Sequence, residues 1–261
     1  MTASTLVLAH PYGDRRHRSN GDKLKVVYLL IFLKPFPKLF IDIPYLVGDM
    51  RAVIPFKKNN AKSRLKTLLS EKEREGLAMA MLNDVAEALL SSGCFSVVDI
   101  LSTAVVEVNG ANLVLTEKGL NEALNEYLQK MSAHSINGPV LIIMADIPLV
   151  SIKNVRDIVN TSSDLVIVPG RMGGTNALLI REPSSFHVDY YGASFLKHLD
   201  IASKNGLDIL VFDSFNLSTD IDEVADLAEV LVHGKGHAQR YLKNLGFTIM
   251  ENNGRVGVKR G

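Results

Sequence analysis

Apolar runs alternate with amphipathic stretches from Met50 onward, and this alternation restricts the fold more than any other sequence feature. A short apolar run at 52–55 precedes a stretch at 70–91 whose apolar residues recur at helical spacing. The residues that share one face of this stretch are Leu77, Met81, Val85 and Leu89. The run at 140–144 is continuously apolar, which is typical of a strand buried on both faces of a sheet. Strands that alternate with helices predict βαβ units around a mainly parallel sheet.

Similar patterns predict the other elements of this region. We expect further strands at 96–101, 165–168, 177–180 and 209–212, and further helices at 119–131, 152–159, 194–205 and 223–232. A chain of 261 residues with 47% hydrophobic residues can bury one large core. The sequence therefore predicts an α/β fold, a Rossmann-like three-layer α/β/α domain with a mainly parallel mixed sheet, over residues 50–261.

Residues 1–49 differ in character from the rest of the chain. A basic cluster at 14–18 precedes an apolar run at 26–47 that is broken by two lysines, one aspartate and three prolines. A transmembrane helix needs about 20 predominantly apolar residues, and a signal peptide needs a small-residue cleavage site, so neither fits. We interpret the segment as an N-terminal extension that is appended or mis-started, with the functional protein beginning at Met50. A peripheral arm or a membrane anchor is the alternative.

The charge balance and the cysteine count limit the partners that we expect. Lysine and arginine total 29 against 28 for aspartate and glutamate, so no net field attracts nucleic acid or an acidic membrane, and we expect neither as a partner. Cys94 is the only cysteine, which excludes an internal disulfide and a cysteine-based zinc site. A cytoplasmic location is the expectation that follows.

A basic loop follows the first predicted strand. It carries Lys57, Lys58, Lys62 and Arg64 and few apolar side chains. Such a loop at the carboxyl end of a parallel strand suits a triphosphate, because lysine and arginine neutralise phosphate charge. The glycines and the final GK[ST] of a Walker loop are absent, and a solvated basic loop is the alternative.

Acidic residues follow the buried run at 140–144 and precede the last predicted helix. Asp146 stands where a carboxylate can hold Mg²⁺ beside a nucleotide, and the alternative role as a helix cap suits Ser151 better. Asp222 is expected to be the N-cap of the helix at 223–232, which leaves Asp220 free as a second metal ligand. Both could equally be capping or surface acids.

Two glycine-containing turns offer hydroxyl groups beside free backbone N–H groups. Thr175 follows paired glycines at 173–174, and Ser194 follows Gly192 at the start of a predicted helix, where an anion is favoured. Ser194 as a plain N-cap is the alternative. His198 lies four residues after Ser194 and could face the same site, although a surface or core histidine is the more frequent outcome.

Taken together, these motifs resemble the 2-phospho-L-lactate guanylyltransferases, which act in biosynthesis of the factor-420 deazaflavin coenzyme, largely in archaea. The matching strings are Pro55-x-Lys57, Ala61-Lys62-Ser63-Arg64-Leu65, Gly119-Leu120-Asn121, Ala145-Asp146-Ile147-Pro148, Gly173-Gly174-Thr175-Asn176, Tyr191-Gly192-x-Ser194-Phe195-x-x-His198 and Asp220-x-Asp222. The resemblance covers residues 50–255. It departs from the family at Gly192 and Ser194, which are one residue closer together than in the form with two intervening residues.

The resemblance implies a nucleotidyltransferase fold of the nucleotide-diphospho-sugar transferase type and a reaction of GTP with 2-phospho-L-lactate, or phosphoenolpyruvate in bacterial relatives, that releases pyrophosphate. The residues implied as catalytic are Lys57, Lys62, Arg64 and Asp146. Those implied as nucleotide-binding are Pro55, Lys57, Lys62, Ser63, Arg64 and Asn121. Those implied as binding the acid are Thr175, Gly192 and Ser194, and those implied as ligands of the Mg²⁺ cofactor are Asp146 and Asp220.

Two other functions fit parts of the pattern. Another nucleotidyltransferase of the same architecture, such as a MobA-like molybdopterin guanylyltransferase or a sugar-phosphate cytidylyltransferase, usually opens with a glycine-rich loop where this chain has Pro55-Phe56-Lys57. A nucleotide-binding regulator without turnover is the alternative from a different class. The oligomeric state is open, with a homodimer as one option.

Overall fold

A computed structural model describes residues 50–58, 61–133, 138–252 and 254–261. The interpretation of residues 1–49 lies outside these residues. The strands are β1 (Arg51–Phe56), β2 (Val97–Ser102), β3 (Asn112–Leu115), β4 (Val140–Ile143), β5 (Leu165–Pro169), β6 (Thr175–Ile180), β7 (Ile209–Val211), β8 (Phe247–Asn252) and β9 (Arg255–Arg260). The helices are α1 (Glu71–Ser92), α2 (Leu120–Ala133), α3 (Ile152–Val159), α4 (Ser194–Lys204), α5 (Phe215–Ser218), α6 (Asp226–His233) and α7 (His237–Asn244).

Seven strands form one mixed sheet in the order β3-β2-β1-β4-β6-β5-β7. Strand β6 runs antiparallel to both of its neighbours, and the other pairs in the sheet are parallel. This confirms the mainly parallel mixed sheet. Because β1 and β4 are parallel neighbours at the centre, the residues that follow them leave the sheet at the same edge.

Helices cover both faces of the sheet. On one face, Ile54 and Leu141 pack with Leu82 of α1 and Val155 of α3. On the other face, the helices α2 and α4 cover side chains that alternate with these along the strands, namely Val53, Val140 and Ile142. The three-layer α/β/α architecture is therefore confirmed.

A third apolar cluster covers the outer side of α1. It joins Leu77 and Met81 of α1 to the C-terminal elements through Leu227 of α6, Leu242 of α7 and Phe247 of β8. Strands β8 and β9 form a separate two-stranded antiparallel sheet. Since both sides of α1 are buried, this helix connects the main sheet to the C-terminal layer.

Local capping explains where the helices begin and corrects one expectation. Ser70 forms a capping box with Glu73 at the start of α1, and Ser151 forms one at the start of α3, as its sequence position predicts. Asp222 was expected to cap a helix at 223–232, and this is wrong because α6 begins only at Asp226. The Asp226 carboxylate instead accepts the Asp222 backbone N–H, and the Asp222 side chain pairs with Lys62 and Arg64. None of the described helices is long and apolar enough to cross a membrane.

Candidate active site

A cleft of about 400 Å³ opens at the carboxyl ends of β1 and β4. Its lining combines the basic loop with Asp146 and Asp222, whereas Asp220 and the predicted acid-binding residues Thr175, Gly192 and Ser194 do not line it. The lining residues are Pro55, Phe56, Lys57, Ala61, Lys62, Ser63, Arg64, Ala78, Met81, Met144, Ala145, Asp146 and Asp222. Ligands of open α/β sheets bind at this edge, so the cleft is the candidate active site.

Lys62 links the basic loop to the acidic residues. Its Nζ donates to Oδ2 of Asp146 at 2.7 Å and to Oδ1 of Asp222 at 2.8 Å, and only 9% of its side chain is exposed. Burial acts to lower the pKa of the Lys62 ammonium, but the two carboxylates outweigh it and raise the pKa above its usual value. Lys62 is therefore a fixed positive charge between two acids that are 76 residues apart in sequence.

The other residues of the basic loop are more exposed than Lys62. Arg64 lies 3.4 Å from Asp222, with 66% of its side chain exposed. Lys57 and Ser63 line the cleft with exposed side chains. The structure thus brings together the loop residues predicted from sequence. Their positive charges differ in how far carboxylates already pair with them. Arg64 and Lys57 are accessible to an anion from solvent, whereas Lys62 must leave its carboxylates to reach one.

Asp220 is half-buried and lies close enough to Asp146 for the two charges to interact. Its Oδ1 accepts from Nδ2 of Asn176 and from the backbone N–H of Arg171, both at 3.3 Å. Burial first, and then the negative charge of Asp146, raise the pKa of Asp220 above its usual value. A backbone bond of 2.9 Å from Ile221 to the Asp146 carbonyl holds the two segments together. A cation at this place would relieve the repulsion between the two acids.

The donor set of this acidic group fits a magnesium ion. Carboxylate oxygens are the ligands that Mg²⁺ prefers, and a cation must compete with Lys62 for Asp146 and Asp222. Among the described residues, the tightest group of metal-ligating side chains lies elsewhere, at Asp84, Glu87 and His237. Both Asp84 oxygens accept backbone N–H groups at the start of α7, so Asp84 serves as a helix cap there.

The hydroxyl groups of Thr175 and Ser194 form a pair at the adjacent turns. Ser194 Oγ and Thr175 Oγ1 lie 3.2 Å apart, and both residues are buried. Gly192 adopts a left-handed backbone with φ of 72°, where a side chain would be strained. Ser194 is not the N-cap of α4, since Ala193 holds that position without a side-chain cap. The next residue on β6 is Asn176, whose amide donates to Asp220, but successive side chains of a strand point to opposite faces. The hydroxyl pair and the acidic group therefore lie at the same edge of the sheet and are linked through the β6 backbone.

Asn121 lies outside the cleft lining. Its Oδ1 accepts the backbone N–H of Tyr190 at 2.7 Å, and its Nδ2 donates to Asp189 at 3.1 Å. Both ends of the amide are therefore engaged in fixing the segment 189–190 against the start of α2. This arrangement favours a positioning role for Asn121.

Sequence reasoning did not assign three polar residues that complete the site. Asp222 pairs with Lys62, Arg171 contacts Asp220, and Asn176 connects β6 to Asp220. The sequence feature that could have drawn attention to Asn176 is the glycine-rich turn at 170–174 that precedes it. A Cβ on Gly170 would lie 2.3 Å from the Asn176 side chain, so glycine there permits the close approach.

Comparison with known proteins agrees with this geometry. A family model described as guanylyl transferase CofC-like matches residues 50–260. The 2-phospho-L-lactate guanylyltransferase of Methanocella arvoryzae is 50% identical to this chain, and the match covers 80% of this chain and 92% of the relative. The enzyme of the same name from Methanoregula boonei is 49% identical, and the match covers 80% of this chain and 94% of that relative.

Solved structures confirm the fold at lower identity. A protein described as a nucleotide-diphospho-sugar transferase, from Desulfovibrio desulfuricans G20, superposes with a TM-score of 0.61 at 15% identity, covering 75% of this chain and 94% of its own. A nucleotidyl transferase from Methanothermobacter superposes with a TM-score of 0.52 at 12% identity, covering 76% of this chain and 99% of its own. The predicted family and enzyme class are confirmed: the chain is a nucleotidyltransferase that belongs to the CofC-like guanylyl transferases.

Proposed function

We propose that this protein transfers the guanylyl group of GTP to 2-phospho-L-lactate and releases pyrophosphate. One observation carries the proposal: a basic loop and an acidic group line one cleft at the carboxyl ends of β1 and β4, and a buried hydroxyl pair lies at the same edge of the sheet. The names of the relatives, which are half identical to this chain, support the choice of substrates.

The reaction needs positioning and charge neutralisation more than proton transfer. A phosphate oxygen of the acid attacks the α-phosphorus of GTP, and the bond between the α-phosphorus and the bridging oxygen breaks. The electron pair of that bond leaves on pyrophosphate, and the acid becomes joined to guanosine through a diphosphate. Because the attacking oxygen is already ionised at neutral pH, no general base is required.

The basic loop is assigned to the triphosphate. Lys57 and Arg64 offer exposed cations in the lining of the cleft, and Lys62 offers a buried one. Pro55 and Ser63 complete the loop side of the nucleotide pocket. Asn121, assigned from sequence to the nucleotide, acts here by holding the segment 189–190 in place.

Asp146 and Asp220, together with Asp222, are assigned to Mg²⁺. When bound, the ion would neutralise negative charge on the phosphate groups of the substrates. The residues of the chain have a separate task, because three carboxylates beside a triphosphate would repel it unless a positive charge lies between them. Lys62 and Arg64 supply part of that charge.

Thr175, Gly192 and Ser194 are assigned to the three-carbon acid. The two buried hydroxyls and the left-handed glycine offer a small polar site at the same edge of the sheet as the acidic group, which suits a compact anion better than a sugar or a pterin. Pyrophosphate release should be measured for each of GTP, ATP, CTP and UTP with 2-phospho-L-lactate, phosphoenolpyruvate and a sugar phosphate. We expect release with GTP and 2-phospho-L-lactate.

The matched variant is Asp146→Asn, which keeps the shape of the side chain and removes its charge. It should lose at least about a hundredfold in turnover while keeping its thermal unfolding temperature within a few degrees. Near wild-type turnover of Asp146→Asn at saturating Mg²⁺ would contradict the metal assignment. Release with a sugar phosphate but with neither acid would contradict the substrate assignment.

A further inference from the structure

His198 is a buried ionisable side chain that the proposed reaction does not use. It lies on α4 with no exposed surface, and the rings of Phe186 and Tyr190 pack against it with centroids 5.8 and 4.9 Å away. Both of its ring nitrogens have polar partners. Nδ1 lies 2.9 Å from Oγ1 of Thr175, and Nε2 accepts the backbone N–H of Asp189 at 3.0 Å.

The contact with Asp189 determines which ring nitrogen carries the proton. A backbone N–H group can only donate, so Nε2 must have its lone pair free. A neutral imidazole then carries its proton on Nδ1, and that proton points at Thr175. His198 is therefore a hydrogen-bond donor to the Thr175 hydroxyl, and the donor is fixed by a main-chain group nine residues away.

This direction decides what the hydroxyl pair can offer a ligand. Thr175 and Ser194 have one hydroxyl proton each, and the 3.2 Å bond between them uses one. Because His198 donates to Thr175, the ring accepts neither proton, so one hydroxyl proton is left for an external acceptor. The opposite tautomer would accept the Thr175 proton and leave the pair without a free donor.

We propose that His198 is a positioning residue that keeps the Thr175–Ser194 pair as a hydrogen-bond donor toward an anionic group of the acid substrate. The identity of the ligand rests on the proposed function, whereas the direction of the hydrogen bonds rests on the contacts of His198 alone. The free proton suits a carboxylate or phosphate oxygen, which can only accept a hydrogen bond.

The surroundings keep His198 in its neutral form. The charged and titratable groups that face it are Asp189, His187 and Lys197. Burial is the largest effect and lowers the pKa of His198 to about 4, while Asp189 acts in the opposite direction. Lys197 lies 2.8 Å from Asp189 and offsets part of its charge. The donor direction therefore holds across neutral pH.

The first test needs no ligand. The full chain labelled with ¹⁵N-histidine should be studied by NMR at pH 7, with the His198 signals assigned by their loss in His198→Asn. We expect a protonated Nδ1 and an unprotonated Nε2 for His198. A proton on Nε2, with or without one on Nδ1, would overturn the proposal.

The second test compares two amide replacements by steady-state kinetics. The asparagine amide nitrogen reaches the position of Nδ1 and can still donate to Thr175, whereas the glutamine amide reaches the position of Nε2 and cannot. For 2-phospho-L-lactate, we expect KM to rise about tenfold or more in His198→Gln and by less than about threefold in His198→Asn, with KM for GTP unchanged in both. Equal losses in the two variants, or an equal rise in KM for GTP, would show that His198 only fills space.

The two tests separate this proposal from the proposed function. If the wild-type protein releases pyrophosphate with none of the candidate acids, the proposed function fails. The tautomer spectrum still decides the role of His198, because it depends on the free protein only.

Discussion

Replacing Lys62 by methionine removes the positive charge that holds the acidic group together. The replacement keeps most of the apolar stem and deletes two bonds, of 2.7 Å to Asp146 and 2.8 Å to Asp222. We expect opposite effects on two properties. The divalent metal should bind the free protein more tightly, because its carboxylate ligands lose a competing cation, and guanylyl transfer should slow because the triphosphate loses a contact.

The magnitude follows from the strength and exposure of the two bonds. A hydrogen bond between charged groups contributes about 1.5–3 kcal/mol, and the carboxylates are 30% and 43% exposed, so solvent screens part of each. The net competition that the metal must overcome is therefore about 1.5–3 kcal/mol in total, or about ten- to a hundredfold in affinity. The loss of stability should be small, about 1 kcal/mol, since the buried ammonium also carries a desolvation cost.

Mn²⁺ titration followed by calorimetry, without nucleotide, measures this effect. Lys66→Met is the matched control, because Lys66 is an exposed lysine close by in the same loop that does not line the cleft. We expect Lys62→Met to bind Mn²⁺ about ten- to a hundredfold more tightly than Lys66→Met. Equal or weaker binding by Lys62→Met would refute the view that the ammonium and the metal share Asp146 and Asp222.

Three further predictions concern the rest of the chain. Burial keeps His198 neutral in the folded state, whereas the unfolded state takes up a proton below about pH 6.5, so the free energy of unfolding should fall by up to about 3 kcal/mol between pH 6.5 and 4. Urea denaturation at both pH values measures this fall, and His198→Asn should show a correspondingly smaller one. Asp84→Ala leaves two backbone N–H groups at the start of α7 without their acceptor, so it should lower the free energy of unfolding by about 2–4 kcal/mol without changing turnover. An unchanged melting temperature would contradict the capping role. A chain that starts at Met50 should fold and keep full turnover, and loss of folding there would show that residues 1–49 pack on the domain.

Sequence patterns predicted the elements whose own residues carry the signal. Strand β4 is a continuous apolar run, and α1 has both a helical face and the Ser70 cap, so local information suffices for them. Strand β3 was missed because it is a short edge strand whose side chains are not fully buried. Helix α7 was also missed, since only Ala238 and Leu242 are buried in it and its partner surface is the far side of α1.

The site shows the same division between local and long-range information. The place of Asp146 in the cleft could be predicted because it closely follows a buried strand, and its role as a metal ligand stays a prediction. Asp222 was mistaken for a helix cap, since its true partner, Lys62, lies 160 residues earlier in the chain. The role of His198 depends on which ring nitrogen meets the Asp189 backbone, and residue spacing carries no information about a tautomer.

The fate of the α-phosphate of GTP distinguishes guanylyl transfer from every other use of the nucleotide. The protein should be incubated with GTP labelled at the α-phosphate, 2-phospho-L-lactate and Mg²⁺, and the products separated by chromatography. We expect the label in a product that joins guanosine to lactate through a diphosphate, formed in equal amount with pyrophosphate and absent with Asp146→Asn. Label that appears only in GMP or GDP, or that stays in GTP, would contradict guanylyl transfer at the cleft between Lys62 and Asp146.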